Sequence, residues 1–241
     1  MSQTSITLLL DRSGSMNQIL EDTLGGYNSY KNGLKGIDAL FSLITFDSIG
    51  IDKIHLHLPI NDVPDLTRKE FIPRGNTPLL DAAMKTIQAV ERAVSDKPDT
   101  KVVITILTDG EENDSKLYAW LDLEDTIRRK QELGWQFVFL GAGINAYKQA
   151  GRMGISAGQT VSYDSSDRVS TQSVFEETAA NTRAYASGEA ATMEYTTDQK
   201  AAAKDAYIPM ADHAVWDLMQ KRPAAPKPAP QPLGPVQDFD L

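Results

Sequence analysis

Three near-continuous apolar runs most constrain what this chain of 241 residues can fold into: "ITLLL" (Ile6 to Leu10), "VVITIL" (Val102 to Leu107) and "FVFL" (Phe137 to Leu140). A strand that is apolar along its whole length, rather than at alternate positions, has both faces buried. Between and after these runs the periodicity is helical. Leu80, Ala83, Met84, Ile87, Val90 and Val94 fall on one stripe of Leu79 to Asp96, and further helices are expected over about Ser115 to Leu133 and from about Asn145. Strands covered on both sides by intervening helices specify an α/β fold, a Rossmann-like and mostly parallel central sheet with helices on both faces.

The remaining segments fit this frame. Asn17 to Lys35 places Ile19, Tyr27, Tyr30 and Leu34 at helical spacing, interrupted by Gly25 and Gly26. Ala39 to Phe46 and Ile51 to Leu58 are joined by "DSIG", too short for a crossover, so they pair as an antiparallel hairpin at one edge. In its second arm His55 and His57 are expected on one face, opposite Ile54, Leu56 and Leu58. A short strand "TVSY" (Thr160 to Tyr163) and a helix over Ser166 to Ser187 follow. Thr196 and Gln199 then have the spacing of a capping box at the start of another helix. From Pro223 to Pro235 the chain is Pro-rich, a semi-rigid spacer, and it continues into "VQDFDL". The expected organisation is a main domain over 1–190, a helical extension over 191–222, and a tail over 223–241. Trp120, Trp135 and Trp216 are read as packing residues.

The formal net charge of −9 opposes nucleic acid and anionic membrane as partners. With no cysteine, disulfides, thiolate metal sites and thiol nucleophiles are excluded. No hydrophobic stretch has membrane-spanning length, and the first apolar run begins close to Met1, so the expected location is the cytoplasm.

Chemistry is expected where the strands end, because open α/β sheets hold ligands at the carboxyl ends of their strands. The first run stops at Asp11, followed by Ser13 and Ser15. "GNTPLLDA" puts Thr77 just before a helix, and "VVITILTDGEEND" puts Asp109 just after a buried strand. Hydroxyl and carboxylate oxygens of this kind suit a hard divalent cation. Taken together, Asp11, Ser13, Ser15, Thr77 and Asp109 resemble, in order and in context, the metal-ion-dependent adhesion site of the von Willebrand factor type A domain. The resemblance covers roughly Ile6 to Ser187.

The resemblance implies Ser13 and Ser15 as direct ligands, Asp11 partly through water, Thr77 direct in some states, and Asp109 direct or through water. Mg²⁺ is the expected ion, with Mn²⁺ or Ca²⁺ as substitutes. The last coordination position is left for an Asp or Glu of a partner protein. Two carboxylates against a +2 ion leave it electrophilic toward that incoming group. Arg12, Arg68, Lys69 and Arg74 near these positions would favour an acidic partner, whereas Glu111, Glu112 and Asp114 would oppose one. Small proteins of the family act as adaptors, with AAA+ ATPases of the MoxR type or in bacterial and phage-encoded assemblies. The implied role is therefore protein binding and not catalysis. Self-association is a further expectation, with Asp238 or Asp240 of the tail reaching the metal of a neighbouring copy.

Other chemistries compete. "GAGINA" (Gly141 to Ala146) after a strand, with Asp164 at the end of the next, matches a small dinucleotide-binding fingerprint. Asp11 with "TDGEEND" has the outline of a magnesium-dependent phosphatase of the haloacid-dehalogenase type, but that chemistry expects an acid at position 13. A third possibility is an ion that only stabilises the fold. His55 and His57 lack an evident third ligand for zinc, and His213 is isolated.

Overall fold

The computed structural model describes residues 3–205. The order of elements is β1 (Thr4–Asp11), α1 (Leu20–Gly33), β2 (Ala39–Phe46), β3 (Ile51–Pro59), α2 (Leu79–Val94), β4 (Lys101–Thr108), α3 (Trp120–Glu132), β5 (Gln136–Ala142), α4 (Ala146–Arg152), β6 (Thr160–Tyr163), α5 (Arg168–Ser187) and α6 (Thr197–Ala202). They form one six-stranded sheet in the order β3-β2-β1-β4-β5-β6. All neighbours are parallel except β2 and β3. This is the mostly parallel sheet with one antiparallel edge strand that the apolar runs specify.

Each face of the sheet has its own core. Ile6, Leu8 and Leu10 of β1 pack with Tyr27 and Tyr30 of α1 and Val174 and Phe175 of α5. Leu9 points the other way, with Ile87 and Val90 of α2, Leu123 and Ile127 of α3, and Ala146 and Ala150 of α4. Each fully buried Leu, Ile, Val or Phe contributes roughly 1.5–3 kcal/mol, so a strand lined on both sides is anchored strongly. Met193, Tyr195 and Ala203, which follow α5, join the first core. The same segment covers the free edge of β6: Ser162 N–H donates to Asp205 Oδ2 at 3.1 Å and Asp164 N–H to the Ala203 carbonyl at 3.3 Å.

Several boundaries differ from the expected ones for physical reasons. The first helix opens as a 3-10 turn over Gly14–Ile19 and becomes α-helical at Leu20. It runs through Gly25 and Gly26 without a break. Gly26 is required there because a Cβ would lie 2.1 Å from ring atoms of the buried Phe175. The third helix starts at Trp120 and not near Ser115. The backbone N–H groups of Lys116, Leu117 and Tyr118 are instead taken by the Asp81 carboxylate, and Asp122 caps the Ala119 N–H at 2.8 Å. The Thr196–Gln199 capping box forms as expected.

The edge strand β3 departs from simple alternation. Its pairing with β2 shifts register twice, between Phe41 and Leu43 and between Leu43 and Ile44. His55 pairs with Leu43, while His57 takes φ 48° and donates its N–H to Ser42 Oγ at 3.0 Å. The two histidines therefore do not share a face by strand alternation, and burial lowers the pKa of both. Bulges of this kind also blunt an edge against pairing with another chain.

Trp135 is buried and stacks on Phe137 at 6.4 Å, and Trp120 is half-buried with the Arg152 guanidinium 3.8 Å over its ring. Trp216, His213 and the Pro-rich tail lie outside the described residues, as does most of the expected extension over 191–222. Among the described residues no helix is long and apolar enough to cross a membrane.

The adjacent glycines of α1 separate packing from propensity. Gly26→Ala should cost about 1–3 kcal/mol through overpacking against Phe175. At Gly25 nothing lies within 4 Å of the added methyl, so Gly25→Ala should stabilise by up to about 1 kcal/mol. Urea denaturation of the two variants measures both.

Candidate metal centre

Parallel strands bring their carboxyl ends to one edge of the sheet, and β1 and β4 are neighbours. Asp11, the last residue of β1, is fully buried there. Its Oδ1 accepts the Ser13 N–H at 2.7 Å and its Oδ2 accepts the Thr108 hydroxyl at 2.6 Å. Burial pushes the Asp11 carboxyl up to about 6, even though these hydrogen bonds favour its ionised form. Both oxygens are thus held by donors, which orients the carboxylate and ties the end of β1 to the end of β4.

The hydroxyls form a chain across the loops. Ser13 Oγ lies 3.1 Å from Ser15 Oγ, and Ser15 Oγ donates to Asp109 Oδ1 at 2.7 Å. Burial raises the Asp109 pKa, opposed by the Ser15 hydrogen bond. Thr77 reaches the same place from the loop before α2. Its N–H donates to Asn113 Oδ1 at 2.8 Å, its carbonyl accepts the Asn113 N–H at 3.2 Å, and its Oγ1 would stand 3.3 Å from a Cβ built on Gly110. The structure thus brings Asp11, Ser13, Ser15, Thr77 and Asp109 together from three separate loops.

Two layers of support hold these loops. Gly14 N–H donates to the Gly75 carbonyl at 3.0 Å and Arg74 N–H to the Arg12 carbonyl at 2.9 Å, joining the first loop to the one that carries Thr77. Beneath them lies Asp47 at the end of β2, whose Oδ2 accepts from Arg12 Nε and Arg74 Nε, both at 2.9 Å. Its Oδ1 accepts the N–H groups of Ile49 and Gly50. Burial alone would raise the Asp47 pKa, but the Arg74 bond, these backbone donors and the Arg12 charge outweigh it and hold it below the usual carboxylate value. On the other side Glu112 accepts from the backbone of Leu80, Asp114 and Ser115, and Gln149 braces the Gly110 carbonyl and the Glu112 N–H.

These contacts change the expected electrostatics. Arg12 is buried and paired with Asp47 and Asp52, Arg74 with the same two carboxylates, and Arg68 with Glu21. Arg12 and Arg74 thus brace the loops of the site through Asp47 and Asp52. Thr108, Asp47 and Gln149 were not singled out from the sequence. Thr108 had a signal, because it directly precedes Asp109. Asp47 closes a buried strand as Asp11 does. Gln149 had none.

The donor set is one of oxygens. Among the described residues no group of three or more His, Cys, Asp or Glu side chains is arranged to hold a metal, and here two carboxylates meet three hydroxyls. A small hard cation fits such a set, and its charge would offset the cost of burying Asp11. The competing chemistries fit less well. For a phosphoryl-accepting Asp11, position 13 holds a serine where that chemistry expects an acid. In the "GAGINA" turn, a Cβ on Gly141 would lie 2.6 Å from that of Ala146, so this glycine serves strand–helix contact. Gly143, at φ +67°, spends its N–H on the Tyr163 carbonyl, and Asp164 turns back onto Ser166.

No protein-family model matches the chain, and no curated protein matches it. Solved structures do. A von Willebrand factor type A protein from Catenulispora acidiphila superposes with TM-score 0.55 at 17% identity, over 75% of this chain and 42% of that one. The pilus adhesin SpaC from Lactobacillus rhamnosus GG gives 0.57 at 15%, over 75% and 30%. Proximal thread matrix protein 1 from the mussel byssus gives 0.54 at 12%, over 73% and 46%. The matched region spans less than half of each of these longer chains, and at such identities the likeness is one of fold. The fold is that of the von Willebrand factor type A domain.

The supports predict two stability effects. Asp47→Ala leaves the buried Arg12 without its main partner and should cost about 3–5 kcal/mol in chemical denaturation. The Asp11 carboxyl binds its proton more tightly folded than unfolded, so metal-free protein should gain stability from this group as pH falls from about 7 toward 4 and lose it as pH rises through about 6. Asp11→Asn should flatten that dependence and stabilise the metal-free protein at pH 7 by roughly 1–3 kcal/mol, read from melting in the presence of chelator.

Proposed function

We propose that this protein is a metal-dependent protein-binding module. Asp11, Ser13, Ser15, Thr77 and Asp109 would hold Mg²⁺, or Mn²⁺ or Ca²⁺ in its place, and the partner would present an Asp or Glu side chain. The observation that carries this reading is the hydrogen-bonded row Ser13–Ser15–Asp109 at the carboxyl ends of β1 and β4, beside the fully buried Asp11 and with Thr77 on the adjoining loop. When bound, the ion supplies a Lewis-acidic position that recognises a carboxylate.

The chain's own residues do the rest. With both oxygens fixed by Ser13 and Thr108, Asp11 is placed to act through an intervening water. The hydroxyls of Ser13, Ser15 and Thr77 are neutral donors, and they leave the ion's charge less neutralised than an all-carboxylate site would. The braces at Asp47, Arg12 and Arg74 hold the loops in place before any partner arrives, which lowers the entropic cost of binding. The description of one fold relative as a pilus adhesin is in keeping with a binding role. On this reading the protein is an adaptor in the cytoplasm and not an enzyme, and its partner belongs to an AAA+ ATPase or to a bacterial or phage assembly.

Isothermal titration of the metal-stripped protein with Mg²⁺ and Mn²⁺ tests the reading. One saturable site is expected, weakened at least about tenfold in Asp109→Ala or Ser13→Ala and absent in Asp11→Ala. In Asp109→Ala the metal-free protein should keep its melting temperature, because Asp109 supports binding more than folding. Unaltered metal binding in all three variants would overturn the assignment.

A further inference from the structure

Tyr163, the last residue of β6, is 2% exposed, and its hydroxyl has no hydrogen-bond partner among the described residues. A polar group left unmatched in the interior is costly, and a phenylalanine would fill almost the same space without that cost. A buried tyrosine in this state therefore calls for a reason, and its place in the sheet supplies one.

Tyr163 pairs with Ala142 of β5, and Gly141 pairs with Thr108 of β4. Continued by one residue, this register puts Asp109, Ala142 and Tyr163 in one row across the carboxyl ends of three strands. Residues two apart on a strand share a face. Leu107, Leu140, Ala142, Val161 and Tyr163 all belong to the core under α1 and α5, so alternation carried one residue past β4 turns Asp109 to that side as well. Two strand spacings, about 10 Å, separate the ends of the row, and Ala142 between them presents only a methyl group. The electrostatics agree. Burial raises the Tyr163 pKa, and the negative charges of Asp109 and of Asp22 in the first turn of α1 raise it further. Asp22 has the Arg168 guanidinium 3.9 Å away, whereas Asp109 has the Ser15 hydroxyl on Oδ1.

Carboxylates that hold a metal are kept in orientation by hydrogen-bond donors outside the ligand set. Thr108 is such a donor for Asp11. We propose that Tyr163 is a positioning residue for Asp109: with an ion bound, its hydroxyl donates to the Asp109 carboxylate, directly or through one water, and fixes how that carboxylate faces the ion. The inference rests on the metal reading above. It extends the centre to a third strand, so that β6, and with it the segment after α5 that covers β6, bears on metal affinity.

Titration calorimetry with Mn²⁺ tests it in the full chain, on wild type, Tyr163→Phe, Asp109→Ala and the double variant, with melting of the metal-free proteins in parallel. Tyr27→Phe is the control, because the Tyr27 hydroxyl is also buried without a partner in the same core but has Asp65 as its neighbouring charge. Tyr163→Phe should bind Mn²⁺ about tenfold more weakly while the metal-free melting temperature holds or rises. Tyr27→Phe should bind as wild type does, and in the Asp109→Ala background Tyr163→Phe should cause no further loss. Undiminished affinity in Tyr163→Phe would overturn the inference and leave the metal reading intact. Equal losses in Tyr163→Phe and Tyr27→Phe would overturn it as a general loosening of the core. A loss that persists in full without Asp109 would overturn it too, because the hydroxyl would then act elsewhere. Failure of wild type to bind Mn²⁺ would overturn both readings.

Discussion

A carboxylate with no exposure to water stands at the carboxyl end of β1, and much of the architecture around it serves to accommodate it. Asp11 cannot be solvated, so its oxygens must find donors in the protein, and they find them in the Ser13 N–H and the Thr108 hydroxyl. The first bond bends the chain out of the strand into the loop that carries the serines. The second ties that loop to the end of β4, where Asp109 follows. Burial still penalises the charge and raises its pKa despite both hydrogen bonds. On the proposed reading a bound cation would relieve that penalty, which would link the stability of the fold to the chemistry of the site.

The loops around Asp11 are long and would be mobile by default. They are held instead by a second buried acid. Asp47 gathers Arg12, Arg74 and the turn after β2, and because Arg12 sits between Asp11 and Ser13, its ion pair orients the first loop from below. Pairing a buried charge is only weakly stabilising in itself, but leaving it unpaired is costly. The arrangement therefore gains precision of geometry more than stability. The two faces of the sheet supply the stability, and its two edges are each managed differently. β3 carries bulges and a positive-φ His57, while β6 is covered by the segment that ends in Asp205.

Much of this was legible in the sequence. Near-continuous apolar runs such as Val102 to Leu107 read as two-sided strands, and the "DSIG" link is too short for anything but a hairpin. Asp11, Ser13, Ser15, Thr77 and Asp109 could be picked out by their place near the ends of strands and by the resemblance of their order to a known metal-binding motif. What sequence missed were contacts with no local signature. Gly25 and Gly26 read as an interruption of a helix, yet the helix continues and Gly26 is a seat for Phe175, 149 positions further along. Ser115 to Ala119 read as helix by pattern, yet the carboxylates of Glu112, Asp81 and Asp122 take their N–H groups. Arg12 and Arg74 read as cations facing outward, yet Asp47 and Asp52 hold both.

The sequence by itself determined the class of fold, because hydrophobic periodicity is a local property, and it pointed to candidate site residues through the resemblance of their order to a known motif. Only the tertiary structure decided how those residues are used. It decided that Asp11 is fully buried with both oxygens engaged, that Ser15 meets Asp109 across 94 positions of chain, and that Arg12 and Arg74 brace the loops through Asp47. These are matters of which distant groups meet in a medium without water, where a charge or a hydrogen bond is satisfied by the protein or not at all, and no local pattern records that choice.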